Sequence, residues 1–107
     1  MKVEILYFDE CPNWQDAANR VHTAATAIGL PDIEIEYRLI TSDAEAAASA
    51  FAGSPTILVD GVDAFGDAVQ LTELACRIYR TGAGTAGLPT VDQLVTSLRK
   101  RVTQPPA

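Results

Sequence analysis

Asp60-Gly61 interrupts the apolar stretch "TILVDGVDAF" (Thr56 to Phe65), and no other dipeptide in the chain constrains the fold as tightly. A two-residue Asp-Gly turn between apolar runs closes a hairpin. Both turn positions need positive φ, which Asp tolerates and Gly adopts freely. Thr56 to Val59 is therefore expected as a strand, with Val62 to Phe65 as its antiparallel return. Upstream, "KVEILYF" (residues 2–8) alternates around Val3, Ile5 and Tyr7 and then becomes a continuous apolar run, the pattern of a buried strand. "IEIEYRLI" (residues 33–40) alternates Ile33, Ile35, Tyr37 and Leu39 with Glu34, Glu36 and Arg38, a strand with one wetter face.

Between these strands the period changes to that of a helix. Trp14, Ala17, Ala18, Val21, Ala25 and Ile28 form one stripe over residues 13–28, with Gly29 and Pro31 as stop signals. Ser42 and Glu45 form a capping box that opens the alanine-rich "AEAAASAF", expected as a helix closing at Gly53. Thr90 and Gln93 form a second box, after Pro89. It opens an amphipathic helix over residues 91–102 through Val91, Leu94, Val95, Leu98 and Val102. Arg99, Lys100 and Arg101 suit the negative end of its dipole. "TQPPA" (residues 103–107) reads as a frayed tail.

The resulting order is β-α-β-α-β-β-α, with residues 66–90 inserted before the last helix. A βαβ unit demands parallel strands and the Asp-Gly turn an antiparallel pair. One α/β domain over residues 1–107, built on a four-stranded mixed sheet flanked by helices, satisfies both. In the insertion, Leu71, Leu74, Ala75 and Ile78 have helical spacing, whereas "GAGTAG" (Gly82 to Gly87) is expected as loop.

Composition narrows the function. The net charge of −6 lacks the basic footprint that nucleic-acid binding requires. No apolar stretch approaches the roughly 20 residues of a membrane span, and the N-terminus carries no signal-peptide cleavage pattern. The two cysteines, Cys11 and Cys76, stand far apart without a C-x-x-C pair. This favours free thiols in a cytoplasmic protein over a structural disulfide. With His22 as the single histidine, no resident metal site is expected. His22 also lies about three turns along the helix from Cys11, too far to serve as its base.

"YFDECPNW" (Tyr7 to Trp14) holds the chemistry. Cys11 is expected at the N-cap of the first helix and open to solvent. Pro12 would take the first helical position, and the amides of Asn13 and Trp14 would be aimed at the sulfur. Free amides and the helix dipole would hold the thiol below the ~8.5 of free cysteine, while Asp9 and Glu10 oppose this as like charges. The plainer alternative is a small buried residue at a turn. Trp14 is expected to pack at the helix start and shield the thiol, or else to stack on a substrate. Cys76 is either a core position or a resolving thiol brought to Cys11, with Arg77 and Arg80 supplying positive charge. A Cys11–Cys76 disulfide would need Cα atoms roughly 4.4–6.8 Å apart.

This element order, with a cysteine opening the first helix, resembles the thioredoxin fold. "GSPTILVDG" (Gly53 to Gly61) resembles that fold's proline loop. The resemblance implies that Pro55 is cis and beside Cys11, and that Pro55 and the backbone of Thr56 hold an extended substrate. Thioredoxin-like oxidoreductases usually carry C-x-x-C, whereas Trp14 takes the place of the second cysteine, so no local dithiol forms. The segments "YFDECPNW", "FAGSPTILVDG" and "CRIYRTGAGTAGLPTVDQL" are also similar to small actinobacterial-type proteins labelled thioredoxin-like or alkylmercury-lyase-like.

Three functions follow. In thiol–disulfide exchange, the Cys11 thiolate attacks a disulfide-bearing small molecule or protein, and Cys76 or an external thiol such as glutathione resolves the adduct. No organic cofactor is implied. A non-catalytic binding module is the second. The third is mercury handling, with Cys11 and Cys76 holding the metal and Asp9 as proton donor.

Overall fold

The computed structural model describes residues 1–11, 13–30, 33–66, 69–82 and 84–103, the side chain of Thr103 excepted. Pro12, Pro31 and the tail beyond Thr103 lie outside the described residues. The elements run β1 (Lys2–Tyr7), α1 (Trp14–Ala27), β2 (Glu34–Leu39), α2 (Asp43–Ala47), β3 (Thr56–Val59), β4 (Val62–Asp63), β5 (Tyr79–Thr81), β6 (Gly84–Ala86) and α3 (Val91–Thr103). Four strands form a mixed sheet in the order β2-β1-β3-β4. β1 and β2 are parallel, with Val3 opposite Ile35, and β1 and β3 are antiparallel, with Ile5 opposite Ile57. β3 and β4 close the hairpin through Asp60 (φ 50) and Gly61 (φ 86), the two positive φ values the turn demands.

The sheet is covered on both faces. On one, Val3 and Ile5 of β1 and Ile57 and Val59 of β3 meet the small-residue stripe of α1 (Ala17, Ala18, Val21, Ala24, Ala25) and Leu94 and Leu98 of α3. Alanines on α1 let α3 approach closely, and Arg20 fastens the pair by donating to the Pro89 carbonyl at 2.8 Å. On the other face Leu6 and Leu58 pack with Ile40, Ala46 and Phe51. β1 sits at the centre with side chains buried to both sides, which explains its nearly continuous apolar sequence.

The capping boxes differ in quality. Thr90 and Gln93 exchange both bonds, at 3.1 and 2.9 Å. At α2 the Glu45 amide donates to Ser42 Oγ at 3.1 Å, but the Glu45 carboxylate accepts from Thr41 instead of reaching back. α2 is also shorter than expected and ends at Ala47, not at Gly53. Ser49 ends it by bonding locally: its hydroxyl donates to the Ala46 carbonyl and accepts from the Phe51 amide.

The insertion departs from its expected form. Leu71, Leu74, Ala75 and Ile78 do not share a helix face, and Ile78 is 72% exposed. Part of "GAGTAG" is strand, because Gly84–Ala86 pairs with Tyr79–Thr81 in a small antiparallel ribbon. Arg77, Tyr79 and Leu88 carry buried side chains there, whereas Leu71 is half-buried and Leu74 exposed.

Candidate functional site

The candidate site forms where the insertion crosses the loop before β3. Residues Ala75 to Arg77 lie along Ser54 as a parallel β-bridge centred on Cys76. The Ser54 amide donates to the Ala75 carbonyl at 2.8 Å, and the Arg77 amide donates to the Ser54 carbonyl at 2.9 Å. Gly53 makes this approach possible. Its φ of +103 suits glycine, and a Cβ there would stand 2.7 Å from both Cα and Cβ of Arg77. The Ser54–Pro55 peptide bond is cis, and Pro55 and Thr56 are buried.

Cys11 reaches the same point from the other side. Its amide donates to the Phe8 carbonyl at 3.1 Å, turning the chain tightly after β1. Its Sγ donates to the Ser54 carbonyl at 3.5 Å. Cys11 and Cys76 are therefore neighbours, although they are far apart in sequence. The two thiols are free, Cys11 buried and Cys76 exposed. Desolvation at its sulfur, then the charge of Cys11 and a hydrogen bond to it, push the Cys76 thiol above the usual thiol range.

Two expectations for Cys11 are corrected. It is not open to solvent, with 0% of its surface accessible. Nor is it the N-cap: α1 begins at Trp14, and Asn13 occupies the cap with φ −95 and ψ −7 and makes no side-chain capping bond. The described partners of the sulfur are the Ser54 carbonyl and the Cys76 thiol, not an amide at the helix start. No local signal in the sequence marked this burial, because Asp9 and Glu10, the two residues before Cys11, are exposed.

The remaining site residues divide sharply. Arg77 does not serve the thiols as expected. Its guanidinium forms a two-pronged pair with Asp63 (2.7 and 3.2 Å) and lies 4.6 Å from the Tyr79 ring centroid. Cys76 and Arg77 are consecutive on an extended segment, so their side chains point to opposite sides. Thr56 does not present free backbone to a ligand, since it pairs with Leu6 of β1 and its hydroxyl donates to the Gly53 carbonyl and accepts from the Ala52 amide. Ser54, overlooked in the sequence, is the central residue. Its side chain accepts from the Phe8 amide at 3.3 Å, and its backbone engages both the Cys11 side and the Cys76 segment. Tyr79 likewise supports the loop, donating to the Pro55 carbonyl.

No family model, curated protein or solved structure matches this chain.

Two clefts flank this region. One of about 310 Å³ is lined by Phe8, Asp9, Glu10, Leu39, Ile40, Thr41 and Leu74. It adjoins the thiol pair along the chain, because Glu10 precedes Cys11 and Leu74 lies two residues before Cys76. The other is an open shelf formed by Tyr7, Trp14, Gln15, Asn19 and Tyr37. There Trp14 stacks on Tyr7 with ring centroids 4.2 Å apart and meets Tyr37 edge-on at 5.5 Å. Trp14 thus spends its ring on neighbouring aromatics. Asn13 lies against Gly87, where a Cβ would clash with its amide. Among the described residues no group of three or more His, Cys, Asp or Glu side chains could hold a metal ion, and no helix is long and apolar enough to cross a membrane.

Proposed function

We propose that this chain is a thioredoxin-like thiol–disulfide exchange protein in which Cys76 attacks and Cys11 resolves. The observation that carries this reading is the pairing of an exposed thiol with a buried one across the Ser54 bridge. The roles reverse the order expected from the sequence, because only Cys76 can meet a substrate from solvent. The sheet order β2-β1-β3-β4 supports a thioredoxin-like arrangement.

A deprotonated Cys76 attacks one sulfur of a substrate disulfide. The S–S bond breaks, a Cys76–substrate disulfide forms, and the other half departs as a thiolate that takes up a proton. Cys11 then loses its proton and attacks the Cys76 sulfur, which releases the second half as a thiol. The substrate is reduced by two electrons, and Cys11 and Cys76 end as a disulfide. An external thiol returns the pair to the reduced state. Burying Cys11 protects the resolving thiol from adventitious alkylation and oxidation until Cys76 has captured a substrate.

The test is mild oxidation of the full chain followed by intact mass. The expected product has lost two hydrogens and carries a Cys11–Cys76 peptide link, and Cys11→Ser traps a mixed disulfide on Cys76. Two persistently free thiols under these conditions would sink the reading and leave a binding module in its place.

One observation favours a second reading. A facing thiol pair suits a soft, two-coordinate metal, so Hg(II) capture by Cys11 and Cys76 is the competing chemistry. With an organomercurial, exposed Asp9, two residues before Cys11, would give its proton to the carbon released as the carbon–mercury bond breaks. Stoichiometric Hg(II) binding that needs both thiols, with no exchange on disulfides, would decide for it.

A further inference from the structure

The cleft beside the thiols has a one-sided charge. Asp9 and Glu10 are exposed on its wall, and neither joins an ion pair among the described residues. The rest of its described lining is apolar or hydroxylic: Phe8, Leu39, Ile40, Thr41 and Leu74. No cationic side chain contributes to that lining. The nearest arginine along the chain from Cys76, Arg77, is committed to Asp63. Glu10 directly precedes Cys11 and Leu74 stands two residues before Cys76, so a substituent that lies in this cleft while Cys76 attacks its sulfur meets two carboxylates without an ion-pair partner among the described residues, in a chain of net charge −6.

Resting on the exchange reading above, we infer that the substrate is a disulfide whose substituent carries a positive charge close to the sulfur, an ammonium or guanidinium on a short apolar stem. The stem fits against Phe8, Leu39 and Leu74, and the cation meets Asp9 and Glu10. A tripeptide disulfide with several carboxylates, such as oxidised glutathione, meets like charge at the same wall and is disfavoured. The external thiol that restores the pair obeys the same rule, so glutathione is a poor reductant for this protein and a cationic aminothiol a good one.

The experiment follows Cys11–Cys76 disulfide formation by intact mass on the full chain, using cystamine, hydroxyethyl disulfide and oxidised glutathione. Each rate is divided by that reagent's rate with a small neutral thiol. At low ionic strength cystamine should exceed oxidised glutathione by roughly tenfold or more, with the neutral disulfide between them. Raising the salt to about 1 M should shrink the ratio several-fold, because the charges on the wall are exposed. The double variant Asp9→Asn/Glu10→Gln should bring the ratio close to one. Glu34→Gln/Asp60→Asn removes the same charge at the opposite end of β1 and should leave most of the preference intact. An unchanged ratio in the first variant, or equal losses in both, would overturn the inference and assign the preference to net charge. Equal normalised rates for all three reagents would overturn it while leaving thiol exchange standing. Failure of every reagent to yield the disulfide would overturn the exchange reading itself.

Discussion

Ser54 and Cys76 pair as a parallel β-bridge, and that bridge sets one thiol of this protein against the other. Strands in such register stand about 4.8 Å apart, so the Ser54 carbonyl that receives the Cys11 sulfur belongs to the residue alongside Cys76. Among the described residues the bridge is held by its two flanking hydrogen bonds. Its survival depends on the glycine that permits it and on the groups that anchor the insertion at either side.

The first prediction concerns pH. Folding raises the Cys76 thiol through desolvation and through Cys11. At neutral pH iodoacetamide should label Cys76 more slowly than it labels a free thiol, and the rate should rise toward a midpoint above ~8.5. Cys11→Ala should lower that midpoint part of the way, because the contribution of desolvation remains. The sign for stability follows from linkage. The folded state holds this proton more tightly, so the contribution is complete below the unfolded-state pKa and is lost as pH rises through the folded one. Stability measured by urea should therefore slope downward above the ordinary thiol range, and less steeply in Cys76→Ser.

Gly53→Ala tests the approach of the two segments. Alanine at φ +103 is strained, and its Cβ would strike the Arg77 backbone. Backbone strain and a displaced bridge together should cost about 2 kcal/mol or more by urea denaturation. The same variant should slow formation of the Cys11–Cys76 disulfide by more than its loss of stability explains, since the insertion must move away from Ser54. A stable variant with unchanged disulfide kinetics would show that the bridge does not set the thiol geometry.

The sheet was legible in the sequence because each strand carried its own signal. β1 was continuous and apolar, β2 alternated, and Asp60-Gly61 fixed the hairpin. α1 and α3 were equally clear from their stripes. The insertion was not legible, and the reason is physical. Leu71, Leu74 and Ile78 imitate a helix period, yet the segment is held by backbone pairing to Ser54 and by the Arg77 and Tyr79 side chains. Those contacts are long-range and leave no local period. Cys11 was assigned to the right strand-to-helix junction but to the wrong environment. Placing the helix start at Trp14 instead of Pro12 moved the thiol from a helix cap into the packed turn after β1.

Arg77 and Asp63 supply the third prediction. The pair is largely buried, with side chains 6% and 13% exposed, and ties the insertion to β4. Removing one partner strands the other charge in a desolvated place. Arg77→Met should cost about 3 kcal/mol. Asp63→Asn keeps some hydrogen bonding and should cost less. In the double variant much of the loss should be recovered, because no buried charge remains unpaired. Additive losses in the cycle would mean that Arg77 acts through its packing over Tyr79 and Phe65 instead.

Tyr79→Phe isolates the last support of the site. The Tyr79 hydroxyl donates to the Pro55 carbonyl, inside the loop that presents Ser54 to both thiols. Phenylalanine keeps the ring and its edge-on contact with Phe65 and deletes only the donor. A buried carbonyl that loses a partner costs roughly 1–3 kcal/mol, which should appear in denaturation. The more telling readout is Cys11. If the loop loosens, its sulfur loses the cover it has against Ser54, and alkylation of Cys11 in the folded protein should accelerate several-fold while the midpoint for Cys76 falls. A variant that is less stable, yet keeps Cys11 as resistant as before, would mean that Tyr79 braces the fold without holding the thiols.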